Sequence, residues 1–320
     1  MRFFKDTNID FIGKRKIAFT ISVVFILLGI FSMIVSGGLK YGIDFTGGTI
    51  MEFDLTPSDP KTKPVEIQTI REVLAQNGYG DSEIQDFGNP NYILIKIKSG
   101  QDVREEEKEL INILKTELPQ YAGDKSKTEL VRRSEHVGAE IGEELRGKAY
   151  VAILVALLGI IIYVWWRFQF TFGLAAVIAL FHDVIITVGL LSLFGKEIDI
   201  PIIGALLAIV GYSLNDTIVL FVRIREDLKI YRRESYRSVI NHSINEVLSR
   251  TVVTSFTTFI VVLILFLFGG EVINPFAFTM LCGVVVGTYS SIFVASPLLY
   301  VYHSWKKNRN RHPHSSKRSK

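Results

Sequence analysis

Residues 170–194, FTFGLAAVIALFHDVIITVGLLSLF, are the stretch on which the fold class depends. These 25 positions contain no ionisable side chain except the adjacent pair His182 and Asp183. About 20 apolar residues suffice for an α-helix to cross the hydrocarbon core of a bilayer. The stretch therefore predicts a membrane-spanning helix that carries an acid near its middle.

Five other apolar stretches are long enough to span a bilayer, and they cover residues 17–35, 149–166, 198–222, 250–268 and 275–302. The chain is 48% hydrophobic with a mean hydropathy of +0.31, yet 21% of its residues are charged. These values are compatible only if apolar and charged residues occupy separate blocks, which argues against an ordinary soluble enzyme and a disordered chain. The single cysteine, Cys282, excludes a disulfide scaffold. The sequence therefore predicts a polytopic α-helical membrane protein with six spans.

The distribution of basic residues predicts the orientation of the spans. Lys and Arg cluster in residues 1–16, in the loop 223–249 and in the tail 303–320, whereas the short connections on the other side contain one base, Lys196. An excess of Lys and Arg marks the cytoplasmic side, so we expect both termini in the cytoplasm. We interpret the tail as a topology determinant near anionic headgroups, with RNA or ribosome binding as the alternative. The first span lacks a clear cleavage site and is expected to remain as an anchor.

Residues 36–148 form the one large polar segment, with 15 Lys and Arg against 21 Asp and Glu, and by this topology they lie outside. Hydrophobic alternation predicts strands at 49–55, 83–87, 93–98 and 128–133, and helical periodicity predicts helices at 65–77 and 103–118. The order βαββαβ is typical of a small ferredoxin-like α+β domain.

Ionisable residues inside the apolar stretches are the candidates for function. Asp216, beside Asn215, lies about 9 Å from the cytoplasmic end of span four at 1.5 Å per residue, and Arg250 begins span five. A charge at membrane depth costs about 2.5–3.5 kcal/mol by insertion scales, so it needs a partner or a function. We expect Asp216 and Arg250 to pair, and separating them would let the acid take up a proton. A static ion pair, or an arginine extended to the headgroups, is the alternative.

Asp183 lies deeper in its span and is expected to be a second relay group, whereas His182 fits better as part of a packing network. Small residues spaced four apart, Gly283 and Gly287 in span six and Gly204 and Ala208 in span four, predict close helix packing. These faces predict a bundle whose interior is completed by a partner.

The motifs of common enzymes are absent from the sequence. The nearest match to a phosphate-binding loop ends in Gly147-Lys148-Ala149, without the Ser or Thr that ligates magnesium. The spacing of Ser, His and Asp predicts no catalytic constellation. His312 and His314 in the tail are too few for a metal site, and the lone cysteine excludes a Cys-based zinc site. We therefore expect no catalytic residues, no cofactor, no metal and no nucleic-acid partner.

Several longer motifs carry a family resemblance. They are YGIDFTGGT at 41–49, FHDVIIT at 181–187, GYSLNDTIV at 211–219 followed by RIRE at 223–226, and RTVVTS at 250–255. In this order they resemble the SecD/SecF family, and the later ones resemble its SecF branch as a separate subunit. The resemblance covers the chain up to about residue 306. The stretch 44–48 is characteristic of the family, and its glycines predict a turn with positive φ.

The resemblance implies an RND-like accessory subunit of the Sec translocon, in the bacterial cytoplasmic (inner) membrane, that uses the proton motive force to promote protein export. It implies SecD as the partner that supplies a further acid, together with SecYEG, YajC and the unfolded exported polypeptide at the external domain. It places Asp216 and Arg250 in the proton pathway, with Asn215, Asp183 and His182 as further members. The sequence departs from the family at Val222, a position that is often acidic.

Two other functions stay open at this level. One is a structural assembly subunit of the translocon without ion coupling. The other is half of an RND-type exporter of small molecules or lipids. The coupled ion is also open, because a lone carboxylate suits a proton but sodium sites also use Asp, Asn and Ser oxygens.

Overall fold

The computed structural model describes residues 7–87, 89–98 and 103–311. The predicted basic positions Arg2 and Lys5 and the tail residues 312–320 lie outside the described residues. Within them, the elements follow in the order α1 (Arg15–Val35), α2 (Ile43–Thr46), β1 (Gly48–Asp54), α3 (Ile67–Gln76), β2 (Glu83–Asp86), β3 (Tyr92–Ile97), α4 (Val103–Glu117), α5 (Lys127–Leu130), β4 (Val131–Val137), α6 (Ala139–Arg167), α7 (Phe170–Leu193), α8 (Ile200–Ile230), α9 (Tyr236–Phe268), α10 (Gly270–Ser290) and α11 (Ser296–Arg311).

The six predicted spans are confirmed as helices that are long and apolar enough to cross a membrane. They are α1, α6, α7, α8, α9 and a sixth span in which α10 and α11 are joined by the π-helical turn Ser291–Ala295. The connection predicted at 223–249 is largely helical, since α8 ends at Ile230 and α9 begins at Tyr236. Ion pairs stabilise these projecting helix ends, because Arg223 lies 3.2 Å from Asp227 one turn later and donates to Glu246 of α9 at 2.7 Å.

The four strands form one antiparallel sheet in the order β2-β3-β1-β4, which confirms the predicted ferredoxin-like arrangement. Alternate side chains of β1 and β3, including Met51, Phe53, Ile93 and Ile95, face a closed core with α3 and α4. The last strand begins later than predicted. Residues 127–130 are instead the short helix α5, because Ser126 and Glu129 form a capping box.

The bundle is buried unevenly. Within the apolar windows of α7 and α8, 56% of the residues are buried, against 6% for α6 and 17% for α9. The two central helices are therefore α7 and α8, and they carry the acids that the sequence placed in the membrane.

Two glycines bring α1 against α7. A Cβ on Gly189 would lie 2.8 Å from the Cα of Gly29, and a Cβ on Gly29 would lie 2.7 Å from the Cα of Gly189. Nearby, Ser32 and Ser192 share a hydrogen bond of 3.0 Å between the same two helices. Small residues thus let the backbones approach closely, as in other membrane helix pairs.

The sheet domain meets α8 at a joint formed by residues 40–48 and 197–202. The backbone amide of Ile198 donates to the Lys40 carbonyl at 2.7 Å, and the amide of Gly42 donates to the Ile198 carbonyl at 2.8 Å. Lys98, which follows β3, forms an ion pair of 2.5 Å with Glu197. Phe45 of α2 is only 3% exposed and is buried with Ile198 and Ile202 at this joint.

The first turn of α8 takes its hydrogen-bond acceptors from both sides of this joint. Asp44 accepts from the amide of Ile200 at 3.0 Å, and Asp199, the N-cap, accepts from the amide of Ile202 at 2.9 Å. Pro201, between Ile200 and Ile202, has no backbone N–H that needs an acceptor. Two carboxylates, those of Asp44 and Asp199, thus lie at the same helix N-terminus. The positive N-terminal end of the α8 dipole stabilises the two neighbouring carboxylates and so offsets their mutual repulsion.

The predicted turn with positive φ is confirmed at the same place. Gly47 has a φ of 75° and Gly48 a φ of 145°. A Cβ on Gly47 would lie 2.7 Å from the Cα of Ala139, at the start of α6. The paired glycines therefore give both the reversal into β1 and the contact with α6.

The residues before α1 hold the opposite end of the bundle together. The amide of Ile9 donates to Asn245 at 2.9 Å, and Asp10 accepts from Asn241 at 2.6 Å and from Arg237 at 2.5 Å. The Asn241 amide, the Gly13 N–H and the Arg237 guanidinium together hold the pKa of Asp10 below its usual range. The stabilisation from these contacts is therefore complete above the ordinary aspartate pKa and is lost as pH falls through the lowered one.

Substitution of Gly189 by Ala is expected to destabilise the bundle by about 1–3 kcal/mol, because the new methyl group meets backbone rather than a movable side chain. The measurement is the thermal unfolding of the purified chain in detergent. Gly159→Ala is the matched control, since a Cβ there has nothing within 4 Å. Equal melting temperatures for the two variants would contradict the close approach of α1 and α7.

Candidate functional site

Asp183 lies in the middle of α7 and is only 1% exposed. Its Oδ2 accepts a hydrogen bond from Ser213 of α8, and its Oδ1 lies 2.8 Å from Nδ1 of His182. The other ring nitrogen, Nε2, lies 2.9 Å from Oγ of Ser22 in α1. A carboxylate and an imidazole thus join three helices through polar contacts inside the apolar region.

The network continues to α10 through Tyr289. Its hydroxyl donates to the Ala18 carbonyl at 2.7 Å, and its oxygen lies 3.3 Å from Oγ of Ser22. The Tyr289 ring also stacks on His182, with centroids 6.3 Å apart. Each member of the network therefore has at least one partner within the chain, as the absence of water in a bilayer requires.

These positions accommodate two proton arrangements. With Asp183 ionised, Nδ1 of His182 donates to it and Nε2 accepts from Ser22. With Asp183 protonated, the acid donates to Nδ1, Nε2 donates to Ser22, and Ser22 donates to Tyr289. Imidazole and hydroxyl groups can act as donor or acceptor, so the same heavy atoms can hold or pass on a proton.

Asp216 lies on α8, one helical turn beyond Ser213, and is 7% exposed. It accepts from Ser255 of α9 at 3.3 Å, and Thr288 of α10 donates to Ser255 at 2.7 Å. Close packing of α10 permits this contact, because a Cβ on Gly287 would lie only 3.0 Å from the Cβ of Ser213. The predicted packing role of Gly287 is thus observed beside the acid.

The expected contact between Asp216 and Arg250 is not formed in the structure. No guanidinium nitrogen of Arg250 lies within the 4.0 Å ion-pair distance of the Asp216 carboxylate, although its charge acts on that carboxylate from further away. Arg250 is exposed and lines a groove of about 280 Å³ between α8 and α9, with Arg223 and Glu226. The reason is helical geometry. Arg250 precedes Ser255 by five residues, which places it about 140° around α9 and about 7.5 Å along it.

Asn215 does not join the buried network. It is exposed on α8, in one stripe with Gly204, Ala208 and Gly211. A Cβ on Gly204 or Gly211 would meet nothing within 4 Å. The stripe of small residues that the sequence predicted to pack is therefore uncovered by the described part of this chain.

Three acidic or imidazole side chains lie together at the other end of α8 and α9, outside the network. Asp227, His242 and Glu246 place their ligand atoms within 4.8 Å of one another. Arg223 lies among them, and Ser243 donates to Asp227 at 2.7 Å. The guanidinium supplies the positive charge that this cluster of acids requires.

The sequence missed the hydroxyl groups that connect the acids. Ser22, Ser255, Thr288 and Tyr289 sit in apolar spans, where Ser and Thr are common enough to draw no attention. Two of them could have been indicated by their positions, since Ser22 lies two turns before Gly29 on the same face of α1 and Ser255 closes the motif at 250–255.

Comparison with known proteins assigns the chain to a family. Residues 119–305 match the model of the SecD/SecF protein export membrane protein, C-terminal, and residues 32–59 match the SecD/SecF GG motif. The chain is 46% identical over 304 residues to protein translocase subunit SecF of Calditerrivibrio nitroreducens, covering 94% of this chain and 96% of the relative. It is 47% identical over 312 residues to the SecF subunit of Desulfurispirillum indicum, covering 97% and 95%.

Solved structures show the same relationship. The crystal structure of SecDF from Thermus, a translocon-associated membrane protein, matches with a TM-score of 0.78 at 38% identity and covers 93% of this chain. SecDF in a super-membrane-facing form matches with a TM-score of 0.68 and covers 98%. This chain spans only 39% and 41% of those SecDF chains.

Replacing His182 by Ala is expected to destabilise the chain by about 1–3 kcal/mol, because it removes the partner of one buried oxygen of Asp183 and leaves Ser22 only its longer contact with Tyr289. The melting temperature in detergent measures this effect. Phe181→Ala serves as the control, since Phe181 is 47% exposed and loses no hydrogen bond. A larger loss in the Phe181 variant than in the His182 variant would show that the network does not stabilise the bundle.

Proposed function

The chain belongs to the SecD/SecF family of protein export membrane proteins, and from this premise we propose that it is a proton-coupled subunit of the Sec pathway in the bacterial cytoplasmic membrane. It works with a SecD-type partner and moves polypeptide outward at the expense of the proton motive force. It performs this role without catalytic residues, a cofactor or a metal of its own.

The observation that carries the proposal is the burial of two carboxylates among hydroxyl groups inside the spans. Asp216 has no cationic partner within ion-pair distance among the described residues, and Ser255 is its hydrogen-bond donor. Asp183 is hydrogen-bonded to a histidine and a serine, and no Lys or Arg among the described residues lies within ion-pair distance of it. An acid at membrane depth without a fixed cation is most easily accommodated when it binds a proton. Such residues are typical of proton relays.

The positions of the acids along α8 give the path a direction. Ser213, which donates to Asp183, precedes Asp216 by three residues, or about 4.5 Å along the helix. The groove with Arg250 lies beyond Asp216, toward the end of the bundle where basic residues cluster. By the positive-inside rule that end is cytoplasmic. A proton from outside thus reaches Asp183 first, Asp216 next and the cytoplasmic groove last.

Arg250 acts as the movable charge of this path. Its side chain is exposed in the groove, and a rotation of α9 would bring it toward Asp216. When the guanidinium approaches, it favours the ionised carboxylate and releases the proton toward the cytoplasm. When it withdraws, Asp216 can accept the next proton.

A partner completes the bundle. The stripe Gly204, Ala208, Gly211 and Asn215 leaves α8 open for close packing with another helix. The matching SecDF chains are more than twice as long, which is consistent with a second half supplied here by a separate SecD-type chain. Asn215 then belongs to the ion pathway through its position at this interface. The translocon SecYEG, YajC and the exported polypeptide at the sheet domain are further partners that the family implies.

Asp216→Asn is expected to abolish the stimulation of export by a proton gradient, by about tenfold or more, because the amide cannot accept the transferred proton. The measurement uses inverted vesicles containing the translocon and the partner chain. Asp86→Asn, at an exposed position of the sheet domain, should leave export unchanged. Vesicles with a sodium gradient form the second arm, because the hydroxyl oxygens around Asp216 also suit Na⁺. Full export by the Asp216 variant under both gradients would contradict the proposal.

A cysteine placed at Asn215 or Ala208 is expected to cross-link to the partner chain. The native Cys282 is first replaced by Ala, so that the new thiol is the only one. A maleimide–benzophenone reagent is attached to the new thiol through its maleimide, illumination then inserts the benzophenone into a C–H bond of the neighbouring chain, and gel analysis of the complex detects the product. A cysteine at Ile162, which is 66% exposed on α6, should react without cross-linking. Equal cross-linking at Ile162 and Asn215 would refute the assignment of this face of α8.

A further inference from the structure

The joint between the sheet domain and α8 includes a side-chain hydrogen bond to the first turn of the helix. The sheet domain contributes a side chain, Asp44, to the capping of the helix that carries Asp216. A helix N-terminus normally takes its cap from its own N-cap residue, and α8 already has Asp199 in that position. Asp44 therefore ties the first turn of α8 to a different part of the chain.

Backbone hydrogen bonds and a buried aromatic side chain also hold the first turn of α8 to this segment. Backbone hydrogen bonds of 2.7 and 2.8 Å clamp Ile198 to Lys40 and Gly42. The side chain of Phe45 is buried with Ile198 and Ile202. Gly47 and Gly48 then lead directly into β1, the strand that pairs with both β3 and β4.

We propose that Asp44 and the joint transmit movement of α8 to the sheet domain, so that Asp44 is a positioning residue for export. The inference rests on the proposed function. Any displacement of α8 that follows protonation of Asp216 moves Ile198 and Ile200, and these residues are hydrogen-bonded to the segment that enters β1. Lys98, the residue after β3, would move with them through its ion pair with Glu197.

If Asp44 has this role, its replacement should uncouple export from proton flux. In proteoliposomes with the translocon and the partner chain, Asp44→Ala should leave proton flux within about twofold of the wild type and reduce gradient-stimulated export about tenfold, a factor that corresponds to about 1.4 kcal/mol. Asp44→Asn should restore export, because its side-chain oxygen can still accept from the Ile200 amide. Asp59→Ala is the matched control, since Asp59 accepts from the Lys61 amide at 2.9 Å in a turn away from the joint.

A charge swap tests the joint without removing a cap. Lys98→Glu and Glu197→Lys should each lower gradient-stimulated export, and the double variant should recover it. Recovery excludes misfolding as the cause of the single defects.

The results separate the joint from the proton pathway. If wild-type vesicles show no gradient-stimulated export, the proposed function fails. If the wild type is coupled and Asp44→Ala exports normally, the joint does not transmit movement. If Asp44→Ala loses proton flux and export equally, Asp44 has only a structural role and the inference is overturned.

Discussion

The hydrogen bonds that Asp183 makes inside the bundle are the interactions on which the rest of the structure depends. A bilayer offers no water, so a buried carboxylate must find its partners within the protein. Asp183 finds them on α7 and α8, and through His182 it reaches Ser22 on α1. These contacts fix the mutual rotation of three helices. They also explain why glycines occur where α1 meets α7 and where α10 meets α8, since only close backbones bring such short side chains together.

The same bundle is incomplete on one side. The helices α7 and α8 are buried by their neighbours, yet α8 keeps one stripe of small residues open, and Arg250 lines an open groove. Asp216 lies between these two surfaces, enclosed on one side by Ser255 and close to the uncovered face on the other. An acid in this position responds both to a partner chain and to the movement of one arginine. The joint at Asp44 and Ile200 connects the helix that carries this acid to the sheet domain.

Much of the fold could be predicted from the sequence, because it depends on patterns of single residues. Apolar length predicted the six spans, and alternation in Met51, Phe53, Ile93 and Ile95 predicted the sheet. The helical extensions of α8 and α9 could not be predicted, since they depend on ion pairs between distant residues such as Arg223 and Glu246. The acids of the site were found because a charge stands out in an apolar stretch. Their hydroxyl partners and the outward position of Asn215 depend on helix rotation, which one sequence does not specify.

Infrared difference spectroscopy of the reconstituted complex can show whether Asp216 binds a proton during export, because it detects the protonated carboxylic acid itself. A carboxylic acid band is expected to appear when a proton gradient is imposed during export. Asp216→Asn should remove this band while the Asp86→Asn control retains it. A spectrum in which Asp216 stays ionised throughout gradient-driven export would contradict the account.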